Sequence, residues 1–124
     1  MELPIEVSGD ADAAEWLRPG VLMLTVEGDL DMLTAPHLAG RIRAAARLGP
    51  AHLVLDLAGV TFMGSSGIQA LVAALDVTRD GPTRLHLLVP PGCRVVERPL
   101  QVTGVLGLFH TCPDVNGFLR DTGT

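Results

Sequence analysis

The stretch that decides the fold runs from His52 to Leu75, H-L-V-L-D-L-A-G-V-T-F-M-G-S-S-G-I-Q-A-L-V-A-A-L. Leu53, Val54, Leu55 and Leu57 form a near-continuous apolar run interrupted by Asp56, the pattern of a strand covered on both faces. The spacing predicts a strand over 52–57, a short crossing loop, and then a helix. After Met63 the period changes, and Ile68, Leu71, Val72 and Leu75 recur at three and four to mark one side of that helix. Ser65 or Ser66 is placed to cap it, while Gly64 and Gly67 permit a tight backbone around the serines. The two hydroxyls then stand at the exposed, positive end of a helix, where a local chemical change has a large effect.

Upstream, Val21 to Val26 reads as a strand that Gly28 ends before Asp29, Leu30 and Asp31. A helix follows, with Thr34 as its cap, Pro36 in its first turn, and Leu38, Ile42 and Ala45 on one face. Arg41, Arg43 and Arg47 fall on or near its exposed side, and Gly49-Pro50 stops it. Leu3 to Val7 alternates weakly, as an edge strand does. The acidic S-G-D-A-D-A-A-E stretch after it is a surface connection pinned by Trp16 and Leu17. Downstream, Asp80-Gly81-Pro82 is a turn and Arg84 to Val89 a strand. Cys93 to Val105 is compatible with a helix split or started near Pro99, since proline removes an internal donor. Leu108 to Thr111 reads as a short last strand, and Pro113 to Leu119 as a terminal helical segment. Val21–Leu57 and His52–Val89 each have the form strand–helix–strand. They predict right-handed crossovers in a small α/β fold, with a mixed, largely parallel sheet packed with helices.

The 124 residues are one domain's worth of chain, 1–124. With three phenylalanines, one tryptophan and no tyrosine, valine, leucine and alanine must fill the core. A formal charge of −5 and the lack of any Lys/Arg-rich segment argue against direct nucleic-acid binding through phosphate neutralisation. Cys93 and Cys112 lack a C-x-x-C arrangement and read as isolated thiols; the four dispersed histidines give no metal-site spacing. The acidic N-terminus has no signal-peptide h-region, and the apolar runs break well before the roughly 20 residues a membrane span needs. The expectation is a soluble, cytoplasmic protein without a cofactor, away from the membrane. The residues set no oligomeric state.

Taken alone, G-S-S-G is a capped helix start. It lacks the lysine and spacing of a phosphate-binding P-loop, the G-x-G-x-x-G of a dinucleotide site, and the G-x-S-x-G elbow of a serine hydrolase. A second motif adds weight. Val26-Glu27-Gly28-Asp29-Leu30-Asp31 ends a strand just before Thr34-Ala35-Pro36, and in a parallel sheet its carboxyl end shares a rim with the end of the 52–57 strand. Asp31 and Ser65 then share one surface site. By itself, Asp31 also fits an Asx turn or a carboxylate near the helix cap.

G-D-L-D-M-L-T-A-P, then L-V-L-D-L-A-G-V-T-F-M-G-S-S-G-I, then V-T-G-V-L-G-L-F resembles the STAS domain family, particularly bacterial anti-sigma factor antagonists. The resemblance covers nearly the whole chain, in order. It implies a phosphorylation-controlled binding protein rather than an enzyme. Unmodified, such a protein binds an anti-sigma factor that is also a serine kinase, and so releases a sigma factor. The resemblance places the phosphate acceptor at Ser65 and the family's G-x-x-D aspartate at Asp31. The implied partner surface is Asp31, Thr61, Phe62, Met63, Gly64, Ser65, Ser66 and Gly67. Two departures stand out: Gly64 replaces the aspartate common before the serine pair, and Pro99 stands where a helical apolar residue is expected. The other readings are a non-enzymatic scaffold or sensory-complex component, a nucleotide-binding module, and the domain as it occurs in sulfate-transporter tails.

Overall fold

Five strands in the order β1-β2-β3-β4-β5 form the sheet, in a computed structural model that describes residues 14–122. They are β1 (Ala14–Arg18), β2 (Val21–Leu30), β3 (His52–Met63), β4 (Arg84–Leu88) and β5 (His110–Cys112). Helices α1 (Ala35–Arg47), α2 (Ser65–Arg79) and α3 (Arg94–Val102) connect the strands from β2 onward, and α4 (Val115–Thr122) closes the chain. A 3₁₀ turn, Leu106–Leu108, precedes β5. β1 runs antiparallel to β2, and the other three pairings are parallel. The mixed, largely parallel sheet expected from the sequence is therefore present. The strand expected over Leu3–Val7 lies outside the described residues.

Because each parallel strand lies beside its predecessor, right-handed crossovers put α1, α2 and α3 on one face. Strand residues alternate accordingly. Leu22, Leu24, Leu53, Leu55, Leu85 and Leu87 join Leu38, Ile42, Leu71, Val96 and Leu100 in the main core. Val21, Met23, Val54, Leu88 and Cys112 face the other way, under Phe118 of α4. Leu71 is completely buried, with Ile68, Val72 and Leu75 partly buried against the same core. The face of α2 read from its period is the face that meets the sheet.

Several boundaries differ from expectation. Trp16 and Leu17 belong to an edge strand, β1, rather than to a pinned connection. Gly28 bends β2 without ending it: its φ of +84° accompanies a register shift, and pairing resumes as far as Leu30. The crossing loop expected after Leu57 is also strand. Between Thr25 and Glu27, and again between Gly28 and Asp29, β3 has one residue more than β2. Each extra residue resets the alternation, so Leu57, Val60 and Met63 all reach the core at a spacing of three. Neither serine caps α2; its N-cap is Gly64, and Ser65 and Ser66 are its first two residues. Pro99 lies inside α3 rather than splitting or starting it. Its position near the end of a nine-residue helix limits the loss to one internal bond, and Val96 and Leu100 hold the helix to the core.

Three imidazoles form a ladder beneath α4. His52 Nδ1 lies 3.0 Å from His86 Nε2, and His86 Nδ1 lies 2.7 Å from His110 Nδ1. Phe118 meets the His52 and His86 rings edge-on. A neutral His86 has one N–H, so it donates to one neighbour and accepts from the other. Burial pushes the His86 pKa down to about 4, helped by His110, His52 and Arg84. In the unfolded chain an ordinary imidazole takes its proton near 6.5.

Two predictions follow from this packing. The unfolded state binds the His86 proton first, so acidification from about pH 6.5 towards pH 4 removes stability. Urea unfolding across that range should show a steeper acid loss for the parent than for His86→Phe; equal slopes would place the proton uptake elsewhere. Leu71→Ala should cost roughly 2–4 kcal/mol by leaving a cavity under α2, measured from the same unfolding curves.

Candidate functional site

The carboxyl ends of β2 and β3 and the first turn of α2 meet at one rim. The Gly64 N–H donates to the Leu30 carbonyl at 2.9 Å, fixing the start of α2 to the end of β2. Gly67 allows close contact one turn on: a Cβ there would lie 2.8 Å from Leu30 Cβ and 2.9 Å from Met63 Sδ. The backbone conformation of Gly64 is extended and open to any residue, with φ −89° and ψ 179°. Its constraint is lateral. A Cβ at Gly64 would stand 3.0 Å from the Phe62 ring, so the ring occupies the space that a side chain at 64 would claim.

Asp31 organises the neighbouring loop. Its Oδ1 accepts from the Leu33 N–H at 2.9 Å and the Thr34 N–H at 3.0 Å, with Thr34 Oγ1 3.2 Å away. These bonds, the Thr34 and Leu33 amides foremost, hold the carboxyl below the usual aspartate range. Of the two local roles open to Asp31, the Asx-type turn at the start of α1 is the one formed. Thr34 is the helix N-cap without a side-chain bond into the helix; its hydroxyl donates backwards to the Asp29 carbonyl at 2.7 Å. Thr61 Oγ1 donates to Asp29 Oδ1 at 2.6 Å, tying the end of β3 to β2.

The expected site residues are thus assembled in part by backbone. Asp31 follows Leu30, Ser65 follows Gly64, and the Leu30–Gly64 bond brings the two segments together. Ser65 is exposed and Ser66 half-buried, Thr61 and Phe62 are exposed, and Met63 and Gly67 are buried. Met63 and Gly67 accordingly shape the rim from below. The first amides of α2 precede any helical partner and leave this end electropositive.

Sequence reading placed Phe62 and Met63 at the rim but missed Met32 and Leu33. Met32 and Leu33 are 77% and 86% exposed in the loop that Asp31 holds, and Phe62 is 52% exposed beside Gly64. The signal was available in M-L between two turn-forming residues, where no periodic face accounts for adjacent large apolar side chains. Met32 and Ser66 line a shallow groove between α1 and α2. The rim thus carries exposed apolar side chains on the same edge as the two hydroxyls, and among the described residues no His/Cys/Asp/Glu group has the geometry to hold a metal ion. No described helix is long and apolar enough to cross a membrane.

The STAS domain model matches residues 17–117. The anti-sigma-F factor antagonist RsfB of Mycobacterium tuberculosis is 33% identical over 98 residues, spanning 77% of this chain and 78% of that protein. The crystal structure of an anti-sigma factor antagonist from Mycobacterium paratuberculosis superposes with a TM-score of 0.74 at 28% identity, covering 91% and 93% of the two chains. The Bacillus cell fate determinant SpoIIAA in its phosphorylated form shares the fold, with a TM-score of 0.62 at 15% identity and coverage of 90% and 99%.

Gly67→Ala should destabilise the chain by about 1–3 kcal/mol, because Leu30 Cβ and the backbone behind it cannot yield as a flexible side chain would. Asp31→Ala should lower the denaturation midpoint through the loosened loop, by less than Gly67→Ala does. Denaturation midpoints test both, and an unchanged midpoint for Gly67→Ala would mean that α2 can retreat from β2 freely.

Proposed function

Because the chain belongs to the STAS domain family, among its anti-sigma factor antagonists, we propose that it binds an anti-sigma factor with serine kinase activity and thereby releases a sigma factor. A STAS domain is a binding scaffold rather than an enzyme. The binding surface in this reading is the rim of Asp31, Thr61, Phe62, Gly64, Ser65 and Ser66, with Met63 and Gly67 beneath it. Phosphorylation of Ser65 switches the complex off. The observation that carries the reading is an exposed Ser65 at the first position of α2, between Gly64, which lies against the Phe62 ring, and Ser66, which shares a groove with Met32.

The physical chemistry of the switch is local. A neutral hydroxyl can close against an apolar partner surface with little desolvation. Phosphate adds about −1.5 to −2 charges and three acceptor oxygens at that point. In the free chain, the amides and dipole of the α2 terminus receive that charge without disturbing the core. A partner shaped for a hydroxyl meets bulk and charge instead, and the complex dissociates while the fold survives. The phosphorylated form of SpoIIAA is a precedent for such a modification on this fold.

Gly64 bears on the rate of modification. With no carboxylate beside the hydroxyl and the Phe62 ring against the backbone, the kinase must orient Ser65 by other contacts. Intact-mass measurement after incubation with ATP and each purified anti-sigma kinase of the source genome tests the assignment. One added phosphate on the parent and none on Ser65→Ala is expected. Addition at Ser66 would move the switch by one residue, and equal addition to both proteins would remove Ser65 from it. Ser65→Asp should weaken the complex, by less than the phosphate does, because one carboxylate is smaller and less charged. Binding without phosphate uptake would make the chain a constitutive antagonist.

A further inference from the structure

We propose that the outer face of α3 and the end of β3 form a second docking groove, which takes an acidic, amphipathic segment of the same anti-sigma partner. The inference rests on the reading of the Ser65 rim as the partner surface and extends it to a helix that reading does not use.

Nine residues of α3 carry two apolar faces. Val96 and Leu100 point into the core and are fully buried. Val95, Pro99 and Val102, at spacings of four and three, make a second stripe on the outside. Val102 is 73% exposed and Val95 41%. The stripe forms one wall of a groove whose other wall is the end of β3, including Phe62. A helix that needed only to cover the sheet would carry polar residues at these outer positions.

The charge of the groove selects its occupant. Arg94 and Arg98, one turn apart, line it together with the apolar stripe. Neither has an ion-pair partner among the described residues, and no carboxylate lines the groove. Glu97, on the same helix, lies outside the groove, so the groove itself presents two guanidiniums on a chain of net charge −5. An apolar side chain between Val95 and Val102, flanked by carboxylates within reach of the two guanidiniums, satisfies both features. A basic or purely apolar segment would satisfy one at most.

The groove also adjoins the switch. The Phe62 ring lines the groove and lies against Gly64, the residue before Ser65. A partner seated along α3 therefore reaches the first turn of α2 across one aromatic ring. Contact there positions a kinase over Ser65 without an aspartate at 64.

The test uses the full chain and the purified anti-sigma factor that binds it. Calorimetry should show Arg94→Glu/Arg98→Glu weakening the complex at least about tenfold and flattening its salt dependence. Val102→Asp should weaken it comparably, with circular dichroism unchanged for both variants. Hydrogen exchange of the unaltered chain should slow across residues 94–102 on complex formation. Affinity within about twofold of the parent for both variants, with unaltered exchange over 94–102, overturns the groove. Loss of binding in Ser65→Asp would in that case leave the reading of the rim standing. A parent chain that binds no anti-sigma factor overturns both.

Discussion

The hydrogen bond from the Gly64 amide to the Leu30 carbonyl joins two segments that are distant in sequence and become one surface. It sets where α2 begins, because the chain must leave β3 at the height where β2 ends. Gly67 then lets the helix lie against Leu30 and Met63 at a distance that a methyl group would forbid. With the helix start fixed, Ser65 is exposed and its neighbours two and five residues on are buried. The stiffness of the site thus comes from backbone and core, and its chemistry from a few side chains at the surface.

Asp31 and Thr34 show how polar residues serve such a rim without catalysing anything. The carboxylate collects two amides from its own loop, and the Thr34 hydroxyl beside it ties back to the Asp29 carbonyl. Met32 and Leu33 stand in the loop so held, with most of their side-chain surface in water. A charge drawn so far into local bonding acts chiefly by what it holds in place.

The core strands and the inward face of α2 were legible because burial on both sides, or on one stripe, leaves a direct trace in apolar spacing. Leu53 to Leu57 and the repeat through Leu75 are such traces. The continuation of β3 to Met63 was not legible. Its two register shifts convert a period of two into a spacing of three, and Leu57, Val60 and Met63 then look like a loop with scattered apolar residues. Pro99 misled for a related reason: a local rule about proline meets a helix short enough to lose one bond and still be held by Val96 and Leu100. At the site, the motif located Ser65 and Asp31 on one rim. The packing of Phe62 against Gly64 depends on a through-space distance that no linear pattern encodes.

The order of the strands has one more consequence. In open parallel sheets, a crevice for small molecules opens beyond the carboxyl ends where successive connections leave in opposite directions. Here β2, β3, β4 and β5 follow one another without reversal, so among the described strands no such parting occurs. The helices stand side by side along one face, and the edge they present is a continuous ledge. Another polypeptide can lie along that ledge and over the shallow groove between α1 and α2. The strand order thus shapes the edge before any side chain is considered.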